Sequence, residues 1–278
     1  MGKIVLVTGA TRGLGRGIAR GFGQRGATVA MTGRDSAALA EVGGEVRHAG
    51  GQAIELVCDH RDDAAVAAAF ARLKDETSGR LDILVNNVTA VYPDQLIAPG
   101  PFWNKSLKLG EMIDVGLRSA YVASWHAAPL MVAAGNGLIA SVSFYGARSY
   151  FHGPAYGAAK AGTDKMTADM AVDFAGTGVT AVSFWPGFIL TDAVRSMPRE
   201  MIPDDLRQML PLWETPEFSA FVLDALADDR ERGQFAGKAV IGAELGERFG
   251  IKDTDGKQPI SYRATMGAPL EFQGRAAA

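Results

Sequence analysis

The chain has 278 residues, 47% of them hydrophobic and 21% charged, with a formal net charge of −3. That length suits one large α/β domain better than two small ones. The acidic balance, with no run of Lys or Arg, argues against a nucleic-acid partner, and no stretch of roughly 18 apolar residues is present to span a membrane.

Met1-Gly2-Lys3 runs directly into the apolar Ile4-Val5-Leu6-Val7. This stretch is too short for a signal-peptide core, and Leu6 stands where a myristoylation signal needs Ser or Thr. Cys58 is the single cysteine, so intrachain disulfides are excluded and a reducing, cytoplasmic setting is expected.

Short apolar runs then alternate with longer segments of helical period, the pattern of βαβ units on a parallel sheet. The expected fold is a single-domain, Rossmann-like, doubly wound α/β sheet covering residues 1–278. Strands are predicted over 3–8, 27–32, 53–58, 82–86, 137–142 and 179–185, with a late one at 238–242. Helices are predicted over 13–25, 36–48, 62–77, 105–134, 154–175 and 216–229. Asp62-Asp63 suits the positive end of a helix dipole, Pro154 a first helical position, and Gly176 and Gly178 a left-handed cap. Residues 88–104 and 187–213 break the rhythm with three prolines each and little periodicity. Both are too apolar for disorder and are expected to lie as loops over a substrate site. Gly274 to Ala278 reads as a loose tail.

The first strand leads into Thr8-Gly9-Ala10-Thr11-Arg12-Gly13-Leu14-Gly15. Glycines at a strand-to-helix turn let the backbone approach a pyrophosphate, and the helix N-terminus supplies N–H donors and a positive dipole end. Gly9, Thr11, Arg12, Gly13, Leu14 and Gly15 are therefore candidate cofactor contacts. At the end of the second strand, Gly33 stands where an NAD site carries an acid for the ribose 2′-hydroxyl. Arg34 and Arg12 are placed to grip a 2′-phosphate, so NADP(H) is the expected cofactor.

Tyr156 and Lys160, four residues apart on the helix that opens near Pro154, share one face. An ammonium beside a phenol is expected to lower its pKa from about 10 and fit it for proton transfer to a carbonyl oxygen. Ser143, just past strand 137–142, sits where loops gather over a ligand; its hydroxyl is a candidate to hold the substrate oxygen, with Ser141 as competitor.

These elements resemble the short-chain dehydrogenase/reductase family: Thr8-Gly9-x3-Gly13-x-Gly15, Asp59, Asn86-Asn87, Ser143, Tyr156-x3-Lys160, and Pro186-Gly187 with Thr191. The resemblance covers nearly the whole chain. Pro101-Phe102-Trp103, Asp114 to Arg118, Trp185-Pro186-Gly187 and Ala243 to Gly256 look closest to the dehydrogenase/reductase SDR family member 1-like subgroup. It implies Ser143, Tyr156 and Lys160 as the catalytic trio, with Lys160 and Tyr156 also meeting the cofactor. It further implies Asp59 near the adenine, Asn87 on the adenosine side, and Ile189 and Thr191 near the nicotinamide carboxamide. A homodimer or homotetramer built on the helices around 105–134 and 154–175 follows from the same resemblance. Two departures stand out. Val88-Thr89 replaces the family's Ala-Gly and is expected to alter the local turn. Gly116 replaces a catalytic asparagine that holds a water for the lysine, and is expected to keep a helix irregularity without a side chain.

Other chemical-looking residues read as structural. His48, His60, His126 and His152 lack metal-ligand spacing, so no metal site is expected, and Cys58 reads as a small core residue. His152 reads as a surface residue, with pocket lining as the alternative. Met197, Met201 and Met209, with Leu210 and Trp213, suit an apolar substrate cover or ordinary packing. The reading is an NADP(H)-dependent oxidoreductase interconverting an apolar ketone or aldehyde and its alcohol. The alternatives are a non-catalytic NADP(H)-binding regulator or scaffold, and a cofactor-free lyase or dehalogenase, against which the intact glycine turn speaks.

Overall fold

The computed structural model describes residues 2–198, 202 and 204–273. Seven strands, β1 (Ile4–Val7), β2 (Thr28–Gly33), β3 (Gln52–Val57), β4 (Ile83–Asn86), β5 (Gly137–Val142), β6 (Val179–Trp185) and β7 (Ala239–Ile241), form one sheet. Their order is β3-β2-β1-β4-β5-β6-β7, and every pairing is parallel. Every predicted strand is present, within two residues at each end.

The helices are α1 (Gly13–Gln24), α2 (Ser36–His48), α3 (Asp63–Thr77), α4 (Pro93–Ile97), α5 (Ser119–Ala134) and α6 (Pro154–Asp173). They continue with α7 (Asp192–Arg195), α8 (Asp204–Met209), α9 (Pro216–Asp228), α10 (Gly242–Phe249) and α11 (Arg263–Met266). Strand alternation sends Val5 and Val7 to one face, where they pack with Ile18 and Phe22 of α1 and Phe218 and Leu223 of α9. Leu6 points to the other face, packing with Leu73 of α3 and Ala123 and Met131 of α5. Both faces are thus covered, as a parallel sheet requires. The chain moves outward from β1 through β2 to β3, then crosses to β4 on the other side of β1. The crevice outside the carboxyl ends of β1 and β4 is therefore the topological switch point.

Local signals perform as expected at several ends. Asp62 caps α3 by accepting from the Ala64 N–H, and Pro154 opens α6. Gly176 and Gly178 adopt φ of +78° and +81° just past α6.

The predicted helix over 105–134 is not continuous. A 3-10 turn at Leu107–Gly110 precedes a π-helix at Met112–Arg118, and only then does α5 begin. Gly110 and Gly116 lack the preference to hold an α-helical ladder, and the Ser119 hydroxyl donates to the Val115 carbonyl at 2.6 Å. The irregularity expected at Gly116 is this π-turn. Segments 88–104 and 187–213 carry the short helices α4, α7 and α8. Helices α10 and α11 escaped the periodicity argument, the first because it starts directly at the end of β7. Met201 and the tail Gly274 to Ala278 lie outside the described residues. No helix among the described residues is long and apolar enough to cross a membrane.

Candidate active site

Thr8 is buried at the end of β1. Its hydroxyl donates to the Val85 carbonyl at 3.3 Å and accepts from the Asn87 and Val88 N–H groups at 2.9 and 3.1 Å. The Asn87 carboxamide donates to the carbonyls of Thr8 (2.9 Å) and Gly9 (3.1 Å), binding the glycine turn to the end of β4. Gly9 and Gly13 have φ of +68° and +57°, the left-handed region that favours glycine. A Cβ on Gly15 would collide with the Gly9 carbonyl oxygen and the Asn87 amide nitrogen. Val88 packs against Gly9, where a Cβ would stand 2.9 Å from the Val88 Cα. The departure from the family's Ala-Gly thus presses directly on the turn.

Helix α1 begins with no side-chain cap from Arg12 and no acid in its first turn. Its first N–H groups and its dipole remain available to an anion, so the turn fits a pyrophosphate. Leu14 packs into the core, which leaves its main chain as the part facing the crevice.

Arg12 and Arg34 are exposed and have no ion-pair partner among the described residues. A Cβ on Gly33 would collide with the Thr11 methyl group. A side chain at this position would require Thr11 to shift, a constraint the sequence did not disclose. Asp59 pairs with Arg61 at 2.8 Å, and this guanidinium holds its carboxyl below the usual range. Arg61 was not expected at this end of the site; only its spacing from Asp59 hinted at it. His60, read as unremarkable, is 4% exposed, and its Nε2 lies 2.7 Å from the Thr32 hydroxyl, which accepts from the Gly9 N–H at 3.2 Å. Burial pushes the imidazole down to about 4, so a neutral ring braces the turn.

At the other side of the crevice, Ser143 follows β5, and Tyr156 and Lys160 occupy the first two turns of α6. The Ser143 hydroxyl donates to the Lys160 main-chain carbonyl at 3.1 Å. The Lys160 ammonium donates to the Val142 carbonyl at 2.9 Å and lies 5.5 Å from the centre of the Tyr156 ring. Ser141 instead accepts from the Asn86 amide at 3.1 Å inside the sheet, and only 1% of it is exposed. Ser143 is equally buried; its hydroxyl is tied to α6, whereas Ser141 lines the small space beside Tyr156 and Lys160.

Residues 3–201 match the profile of the short chain dehydrogenase family. The chain belongs to the short-chain dehydrogenase/reductase family. It is 38% identical over 277 residues to mouse (Mus musculus) dehydrogenase/reductase SDR family member 1, covering 97% of this chain and 88% of that protein. The human (Homo sapiens) protein of the same name is 38% identical over 269 residues, covering 94% and 86%. A solved 3-oxoacyl-[acyl-carrier protein] reductase from Brucella melitensis is 25% identical with a TM-score of 0.73, over 86% of this chain and 89% of that one. An actinorhodin polyketide ketoreductase solved with NADPH shares the fold at a TM-score of 0.75 and 24% identity, over 86% and 95%. The chain is thus an oxidoreductase by family.

As a short-chain dehydrogenase/reductase, it departs from one expectation of its chemistry. Burial raises the Tyr156 phenol and pushes the Lys160 amine down to about 8. The lowering of the phenol expected from the neighbouring ammonium is absent in this state, because desolvation dominates and the ammonium is turned to the Val142 carbonyl. Asp164, one turn beyond Lys160, accepts from the Ser183 hydroxyl at 2.5 Å and the Trp185 indole at 3.1 Å. This buried carboxylate tie between α6 and β6 was missed in the sequence.

A cavity of about 10 Å³ lies among Asn86, Thr89, Gly116, Tyr156 and Lys160, about the volume one water needs. A Cβ on Gly116 would stand 3.1 Å from the Thr89 hydroxyl. The two departures from the family pattern therefore face each other.

Beyond Tyr156, Phe144, Phe151, Phe188, Trp213 and Tyr262 form an aromatic cluster, with Phe188 stacked on Trp213 at 5.2 Å. His152 has φ of +60° and presents its ring to the edge of Tyr156 at 5.2 Å, so it borders the site. Met209 packs against this cluster, whereas Met197 is exposed. Ile189 pairs with Glu214, and the Thr191 hydroxyl caps α7 by accepting from Val194 at 3.4 Å.

Proposed function

We propose that this protein is an NADP(H)-dependent carbonyl reductase or alcohol dehydrogenase acting on an apolar ketone or aldehyde and its alcohol. The observation that carries the reading is the convergence of Ser143, Tyr156 and Lys160 at the crevice whose other wall is the glycine turn. Gly9, Thr11, Gly13, Leu14 and Gly15 would hold the pyrophosphate, Arg12 and Arg34 the 2′-phosphate, and Asp59 and Asn87 would border the adenosine. The exposed guanidinium groups of Arg12 and Arg34, with no ion pair among the described residues, support the phosphorylated cofactor. Ile189 and Thr191 would meet the nicotinamide end. When bound, the nicotinamide supplies or takes up a hydride.

Tyr156 donates its phenolic proton to the carbonyl oxygen in reduction and takes it back in oxidation. Its raised pKa keeps the proton on at neutral pH, and a nearby positive charge is needed to bring it into range. Lys160 provides that charge once its ammonium leaves the Val142 carbonyl. Ser143, turned from the Lys160 carbonyl, donates to the same substrate oxygen and stabilises its developing charge. The rings of Phe144, Phe151 and Phe188, with Met209 packed against their cluster, favour an apolar substrate. Exposed Tyr121 and Trp125 on α5 support a homodimer or homotetramer, and the buried lone Cys58 suits a reducing cytoplasm.

The test is NADPH consumption over a panel of aromatic, aliphatic and steroid-like carbonyls, with Tyr156→Phe beside the parent. Turnover that disappears in the variant is expected. Equal turnover by both proteins rules out the tyrosine mechanism. NADPH binding without turnover on any substrate favours a non-catalytic NADP(H)-binding regulator, a reading that the Gly116 departure also supports.

A further inference from the structure

Glu214 is a carboxyl group for which the chemistry above has no use. It lies just before α9 and is 2% exposed; among the described residues its oxygens meet no side-chain donor, and the Gly187 main chain is the one group that favours its charged form. Its main chain is stitched to the segment after β6. The Glu214 N–H donates to the Phe188 carbonyl at 2.9 Å, and its carbonyl accepts from the Leu190 N–H at 2.9 Å. The side chain lies against Gly187, where a Cβ would stand 3.0 Å from Oε2 and 3.3 Å from the Tyr262 ring. The Tyr262 hydroxyl is likewise buried without a partner.

Apart from the Gly187 main chain, the surroundings of this carboxyl make its ionised form costly. Asp253, whose own carboxylate accepts from the Thr215 N–H at 2.7 Å, adds like charge. Tyr262 and Tyr145 are neutral phenols held above their usual range, and no cation is among the groups that shift Glu214. Burial, against a main-chain bond from Gly187 and with a smaller push from Asp253, puts its carboxyl at about 8, so at pH 7 it carries its proton. A neutral acid fits this space; a carboxylate there would be a buried charge with no cation among the groups that act on it.

We propose that Glu214 is a positioning residue which, as a neutral acid, holds the Gly187 to Thr191 segment in its cofactor-receiving shape, and whose ionisation loosens that segment. This rests on the reading that the segment meets the nicotinamide end of the cofactor. The site is pH-sensitive without touching the reacting atoms: the charge appears one layer behind Gly187 and acts through the main-chain bonds to Phe188 and Leu190.

Two readouts on the full chain test it between pH 6.5 and 9.5. The first is hydrogen exchange of residues 187–191, corrected for the intrinsic pH dependence of exchange. The second is the NADPH Kd from fluorescence titration. In the parent, protection of the segment should fall about tenfold from pH 7 to 9, as one buried acid ionises, and Kd should rise with it. Glu214→Gln, neutral at every pH, should bind NADPH within about threefold of the parent at pH 7 and lose that share of both slopes. Lys160 also titrates near 8, so the decisive quantity is the difference between parent and variant. Parent protection that does not change with pH overturns the inference, and this measurement needs no variant to fold. A Glu214→Gln slope equal to the parent's overturns it as well. If the parent binds no NADPH at any pH, the functional reading falls, while the exchange profile still decides the role of Glu214.

Discussion

The Ser143 hydroxyl donates to the main-chain carbonyl of Lys160, 3.1 Å away, while the Lys160 ammonium reaches back across the same gap to the carbonyl of the residue before Ser143. The end of β5 and the second turn of α6 are thus cross-tied by two groups that the proposed chemistry uses. In that chemistry each leaves a backbone carbonyl to meet a ligand.

Ser143→Ala should therefore have two separable effects. Loss of the donor to the substrate oxygen is expected to lower kcat by roughly 10²–10³-fold, the scale for removing one oxyanion donor. Loss of the tie to Lys160 should cost about 1 kcal/mol of stability. Steady-state kinetics and urea unfolding measure the two. Unchanged kcat would remove Ser143 from the mechanism even if stability falls.

Cofactor choice is predicted to depend on charge at Arg34 and on space at Gly33. Arg34→Ala should weaken NADPH by roughly tenfold or more, the scale of one charge-assisted hydrogen bond, and leave NADH nearly untouched. Gly33→Asp alone should weaken both cofactors, because its Cβ meets the Thr11 methyl. Adding Thr11→Ser removes that methyl and should let NADH bind better than in the single variant. Calorimetric titration of the variants checks this; tight NADH binding by Gly33→Asp alone would contradict the packing argument.

Acid should weaken the protein in part through His60. Its folded pKa, near 4, lies below the reference value of 6.5, so the unfolded chain takes up the proton first. The stabilisation is fully present above pH 6.5 and is lost as the pH falls through about 4, by at most about 3 kcal/mol. His60→Gln should show a smaller drop in Tm between pH 7 and 4.5 than the parent. Equal drops would mean that His60 does not remain neutral in the fold. NADPH affinity should also fall modestly in this variant, since His60 braces Gly9 through Thr32.

Much of this protein is legible in one dimension because its signals are local. Continuous apolar runs mark buried strands such as β1, Asp62 and Pro154 mark helix starts, and the glycines of residues 9–15 mark a turn whose φ values at Gly9 and Gly13 strongly favour glycine. Tyr156 and Lys160 share a face because the helix repeats every 3.6 residues, so their pairing needs no tertiary knowledge. The helix over 105–134 failed the same test because glycines at 110 and 116 admit 3-10 and π turns that hydrophobic periodicity does not distinguish.

Other properties depend on approaches between residues far apart in the chain. Ser141 and Ser143 are interchangeable in sequence; the fold ties Ser141 to Asn86 on the neighbouring strand and Ser143 to the main chain of α6. Gly33 reads as a missing acid until the fold brings the Thr11 methyl against it. Thr89 and Gly116 read as two independent departures until the cavity sets them face to face. The pKa values belong to the same class: Glu214, Tyr156 and His60 are ordinary side chains in the sequence, and folding strips them of water. Local pattern follows from backbone geometry repeated every two or 3.6 residues, whereas desolvation and close contact arise only when distant segments exclude solvent together.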